Sequence, residues 1–164
     1  METPAPVVHP HLLWRRMSEA QKQSAADAFW REPDNIEQQI EAMALLAHQL
    51  KARPRFVQGL PVERRAHYLA HFPNMPDPMA ARLLVSYHLA HQRPMMGAFL
   101  DALGIKHDNG LISEGTEEAV KDASIEAGIK ALASYPPEDV SLYFGTLVAQ
   151  DPDTWKALEA HITA

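Results

Sequence analysis

The chain contains no cysteine, which excludes disulfides and thiolate metal sites. It has only seven glycines. Gly97, Gly104, Gly110 and Gly115 stand isolated, so no phosphate-cradling loop and no dinucleotide fingerprint is present. No Gly-x-Ser-x-Gly elbow occurs. No stretch approaches the roughly 20 apolar residues of a membrane span, so no membrane partner is expected. No run alternates convincingly between apolar and polar residues, and Phe56-Val57 is too short to count as a strand. Met1–Val8 lacks a basic start and a long apolar run, so no signal peptide is expected. With the missing cysteines, this points to a cytoplasmic location.

The 164 residues suit a single domain with a sizeable core. Apolar content of 46% and charged content of 22% are ordinary for a globular chain. The charge is unevenly placed. Residues 51–93 carry a net +5, residues 94–164 a net −8, within a total of −6. The acidic total argues against nucleic acid as a partner. A basic middle joined to an acidic C-terminal part points to an anion site or to mutually attracting surfaces.

The thirteen prolines punctuate helices. Proline lacks the N–H that a first helical turn leaves unpaired, and its φ is already helical. Asp77-Pro78 and Asp151-Pro152 each place a carboxylate where a cap is wanted. Ser18 with Gln21, and Asp34 with Glu37, have capping-box spacing, and Thr116 is a further cap candidate. These signals predict an all-α fold, a compact bundle or short array of about eight helices. The helices fall near 18–31, 35–52, 61–72, 78–92, 94–103, 116–134, 137–150 and 152–162. Residues 1–17 are expected to form an extended N-terminal arm, and 18–164 a single all-α domain. In the second helix, Ile36, Ile40, Met43, Ala47 and Leu50 form one apolar stripe. Asp108-Asn109-Gly110 reads as a tight turn.

Leu60–Glu63, Tyr68, Phe72 and Asp77-Pro78 resemble Tyr135–Glu138, Tyr143, Leu147 and Asp151-Pro152. The offset of about 75 residues suggests two similar helical units, 35–92 and 111–162, joined by 94–110. Pro-first helices with Asp-Pro caps would give the same likeness by chance.

Two constellations could carry chemistry. His67 and His71 are spaced i,i+4, and His88 and His91 i,i+3, so each pair can share a helix face. If the two helices pack antiparallel, four imidazoles could converge on zinc or another divalent transition metal. Against this, the histidines border apolar faces, as wet-tipped boundary residues do, and the nearby arginines oppose a dication. No cofactor is therefore expected. The second constellation is Arg53, Arg55, Arg64, Arg65, Arg82 and Arg93, whose guanidinium groups could hold a small anionic ligand. A solvated basic face is the plainer account.

The leading expectation is a non-enzymatic helical interaction module. It would bind a protein partner, or a second copy of itself, through the Arg/His-rich middle and the acidic C-terminal part. The alternative is a small-molecule or metal-binding protein, or an enzyme, with an Arg/His-lined site for an acidic ligand. Convergence of these side chains in an apolar-walled recess would favour a ligand, and dispersion over outer faces a partner.

Overall fold

The structure is a computed structural model, and it describes residues 8–108, 110–112 and 122–162. The fold is all-α. In chain order the helices are α1 (Pro10–Arg16), α2 (Glu19–Arg31), α3 (Ile36–Leu50), α4 (Pro54–Gln58), α5 (Val62–Ala70), α6 (Asp77–His91), α7 (Arg93–Leu103), α8 (Asp122–Ala131) and α9 (Pro137–Gln150). A two-residue hairpin, β1 (His107–Asp108) and β2 (Leu111–Ile112), follows α7 with His107 opposite Ile112. Gly110 takes φ 96° in its turn, as the Asp-Asn-Gly run requires. No described helix is long and apolar enough to cross a membrane.

Local signals set several ends. Ser18 and Gln21 form the capping box in both directions: Gln21 N–H donates to Ser18 Oγ at 3.1 Å and Ser18 N–H to Gln21 Oε1 at 2.8 Å. Proline occupies the first turn of α1, α4, α6, α7 and α9. Gly104, at φ 74°, closes α7 through N–H bonds to Leu100 and Asp101 carbonyls.

Other expectations need correction. Residues 10–16, read as part of an extended arm, form α1 and bury Leu13 and Trp14. The helix forms because Pro10 opens it and because α6 and α9 receive its apolar side. Residues 152–162 are not an α-helix. Asp151 accepts from Thr154 N–H at 3.3 Å and Thr154 Oγ1 at 2.6 Å, and a 3-10 helix runs Lys156–His161. Asp34 does not cap α3, since Glu32 accepts from Asp34 N–H and Asn35 is the N-cap. Thr116 and the start of the helix expected from 116 lie outside the described residues.

The α3 stripe is also corrected. Ile36 and Ile40 face outward; of the expected stripe Ala47 is buried and Met43 packs against the core, and Ala42 and Leu46 join them. A helical wheel identifies apolar positions, but the neighbouring helices decide which of them are covered.

The core has two clusters. The first is built from α1 to α6, with Phe29, Leu46, Leu69, Leu83 and Leu84 fully buried. The second gathers Met95, Phe99, Leu100, Phe144, Trp155 and Leu158 from α7, α9 and the C-terminal 3-10 segment. The stretch 94–110, expected as a joint between two units, thus supplies central residues of the second cluster. Contact between α6 and α9 links the two.

Candidate functional site

The six arginines do not gather. Arg53, Arg55 and Arg64 stand exposed, and no ion pair among the described residues involves them. Arg65 lies 5.0 Å over the Trp30 ring, joining α5 to α2 by a cation–π contact. Arg82 Nε donates to Asn35 Oδ1 at 2.6 Å. Arg93 Nε donates to the Leu89 carbonyl at 2.8 Å. The arginines therefore divide between outer faces and bonds that fasten helices together.

The four predicted histidines separate as well. His67 and His71 are exposed on α5, ring centroids 4.4 Å apart, and His71 Nδ1 is 2.9 Å from the His67 carbonyl. His91 is exposed and lies against Tyr87. His88 is buried, at 2% exposure. Four imidazoles converging on a metal is therefore not the arrangement found. The i,i+3 spacing on α6 puts His88 toward α9 and leaves His91 in solvent.

His88 sits where the two core clusters meet. Its Nε2 is 3.0 Å from Thr146 Oγ1 on α9. The Thr146 hydroxyl donates to the Leu142 carbonyl at 2.8 Å, so its oxygen accepts from His88 Nε2–H. Burial lowers the imidazole pKa to about 3, so the ring is neutral near pH 7. Nδ1 is then the unprotonated nitrogen, and it has no hydrogen-bond partner among the described residues. His88 borders a pocket of about 230 Å³. Val85, Leu89, Met96 and Leu147 form its apolar wall, with Gly110, Tyr143, Thr146 and Gln150 completing it. Burial pushes the Tyr143 hydroxyl pKa up, so it stays protonated. None of the six arginines lines this pocket. Sequence reasoning placed His88 in the wrong set because only α9, some 58 residues away, makes it distinct.

A third feature escaped sequence reading. His9 and His11 flank Pro10 and close on Asp77, at the first turn of α6. Asp77 Oδ1 accepts from His11 N–H at 3.0 Å and faces His11 Nδ1, while Oδ2 is 3.4 Å from His9 Nδ1. The His11 backbone and ring bonds hold the Asp77 carboxyl below its ordinary range. The three ligating atoms lie within 4.8 Å of one another, so a borderline metal could bridge them. Arg15 and Lys22 line the same recess, and the α6 N-terminus adds positive potential, both opposing a cation. The arrangement acts as a latch that ties α1 to α6. Asp77, expected to cap α6, is instead committed to a residue 66 positions earlier in the chain.

The outer side of α3 and α4 exposes large apolar residues. Ile36 is 61% exposed, Ile40 60% and Phe56 54%. Glu37 and Glu41 are exposed on α3, and Arg53 and Arg55 at the start of α4. No family model, curated protein or solved structure matches this chain.

Proposed function

We propose that the chain is a non-enzymatic interaction module that pairs with a second copy of itself through the outer face of α3 and the adjoining α4. The observation that carries this reading is the exposure of Ile36, Ile40 and Phe56. Single exposed apolar residues are ordinary. Ile36 and Ile40, however, lie one turn apart on the same helical face, and α4 packs directly against α3. The surface is also self-complementary in charge. Glu37 and Glu41 are exposed on α3, and Arg53 and Arg55 beside α4. In a two-fold pair, each contact of one copy recurs in reverse. In an antiparallel pair the α3 acids of each copy would then meet the arginines of the other, with Ile36 and Ile40 of one copy set toward Phe56 of the other.

Sedimentation equilibrium tests this. The wild-type chain should sediment as a dimer at micromolar concentration. Ile40→Glu should sediment as a monomer with an unchanged far-UV circular dichroism spectrum. A wild-type chain that stays monomeric at high concentration removes the reading.

A further inference from the structure

We propose that His9, His11 and Asp77 form a binding site for a borderline divalent metal ion of the zinc class, which fastens α1 to α6. The first observation is geometric. One nitrogen of each imidazole and one oxygen of the Asp77 carboxylate lie within 4.8 Å of one another. His9 Nδ1 stands 3.4 Å from Asp77 Oδ2, the spacing of two donors on a tetrahedral ion held at about 2.1 Å from each. His11 Nδ1 faces Asp77 Oδ1 at hydrogen-bond contact. A metal ion takes the place of the proton there, and the His11 ring turns slightly outward to admit it. The second observation is preorganisation. Asp77 Oδ1 also accepts His11 N–H at 3.0 Å, which fixes the carboxylate against the backbone of α1. Pro10, between the two histidines, opens α1 and holds its own φ near the helical value. Both imidazoles therefore sit at the start of α1, with ring centroids 5.4 Å apart. Supporting bonds of this kind orient metal ligands. The third observation is donor chemistry. Two imidazole nitrogens and one carboxylate oxygen suit zinc and its neighbours, whereas magnesium and calcium take oxygen donors. His9 is exposed and His11 and Asp77 are half-buried, so an ion can enter and water completes its coordination. Arg15 and Lys22 lower the affinity without closing the site. Arg15 is exposed and Lys22 Nζ lies 6.0 Å over the Trp14 ring. Their repulsion acts through screening solvent, while the three donors bind the ion directly.

Zinc chloride is the probe, titrated calorimetrically into the full-length chain after treatment with a chelator, with magnesium chloride as the hard-ion control. Zinc should bind saturably, and the melting temperature should rise with free zinc, because an ion that prefers the folded state stabilises it. Magnesium should do neither. His9 makes no side-chain hydrogen bond as the cap of α1, so His9→Ala leaves the His11–Asp77 contacts in place, and circular dichroism checks the fold. This variant should bind zinc more weakly by at least about tenfold, the least that losing even a supporting group costs a metal site. Arg15→Gln should tighten binding by removing a repelling charge. His67→Ala with His71→Ala, the exposed pair on α5, should leave it unchanged. The proposal fails if zinc does not bind, if magnesium binds as tightly, or if folded His9→Ala binds zinc as the wild type does. It also fails if Arg15→Gln weakens binding, or if the α5 double variant abolishes it, which would assign the zinc to the α5 pair.

Discussion

Arg82 Nε donates to Asn35 Oδ1 at 2.6 Å, across the junction of α6 with the turn between α2 and α3. Asn35 is 1% exposed. Its Nδ2 donates to the Phe29 carbonyl and to Ser86 Oγ, both at 3.2 Å. One amide, at the N-cap of α3, thus spends both its donor and its acceptor capacity on α2 and α6, and it holds the three helices in register.

Removing that amide should be expensive. Asn35→Ala deletes three hydrogen bonds in a buried setting, each worth about 1 kcal/mol net, although Gln39 Nε2 still donates to the Phe29 carbonyl at 2.9 Å. We expect a loss of about 3 kcal/mol, measured by urea denaturation. Arg82→Ala, which removes one of the three, should cost less. Equal losses for the two variants would show that the Arg82 bond alone carries the junction.

Acid should destabilise the protein in two separable windows. The His88 folded-state pKa of about 3 lies below the unfolded value near 6.5, so the unfolded chain binds the extra proton. Stability is therefore complete above about pH 6.5 and falls progressively toward pH 3. His88→Leu should remove this part of the dependence, read as a flatter melting temperature between pH 6.5 and 4.

Asp77 acts at lower pH. Its folded pKa is held below the ordinary carboxylate value, so its contribution is present above about pH 4 and disappears as pH falls through the folded value. The group is part-exposed, so the effect on global stability is modest and the effect on α1 is the sharper readout. Asp77→Asn should release α1, and Trp14 fluorescence should then shift toward that of a solvated indole at neutral pH. An emission spectrum like wild type would mean that Leu13 and Trp14 hold α1 without the latch.

Gly128 is a place where an added methyl group meets packed neighbours. A Cβ there would lie 2.3 Å from Leu103 Cδ1 and 2.7 Å from a Phe99 ring carbon. Alanine would gain about 1 kcal/mol of helix propensity over glycine, but overpacking of this kind costs about 1–3 kcal/mol. Gly128→Ala should therefore lower the melting temperature. A rise would show that α8 can move off α7 without loss.

If the α3–α4 faces pair, the dimer should weaken with salt, as the screening length shrinks from about 10 Å at 0.1 M to about 3 Å at 1 M. Arg53→Glu with Arg55→Glu should weaken it further, and Glu37→Lys with Glu41→Lys in the same chain should restore part of the loss. Exposed pairs contribute about 0–1 kcal/mol each, so the apolar centre should leave residual dimer at high salt. Dissociation constants that ignore both salt and charge reversal would assign the pairing to another surface.

The sequence by itself determined the class of the fold and where most helices begin. These are short-range matters. Ser18 and Gln21 can satisfy each other's backbone because they are three residues apart, and a proline fixes its own φ wherever it stands. The sequence also determined that charge is segregated along the chain. Only the tertiary structure decided which side of each helix is covered. Ile36 and Ile40 look like core by spacing, but the residues α3 buries are Ala42, Leu46 and Ala47, because the neighbouring helices cover that side. Tertiary contact likewise decided that Asp77 fastens α1 rather than capping α6, since His11 arrives from 66 residues away. It split the four histidines, leaving three in water and burying His88 against Thr146. Spacing along a chain fixes which residues share a face. What that face meets depends on contacts between distant segments, and those exist only once the helices have packed.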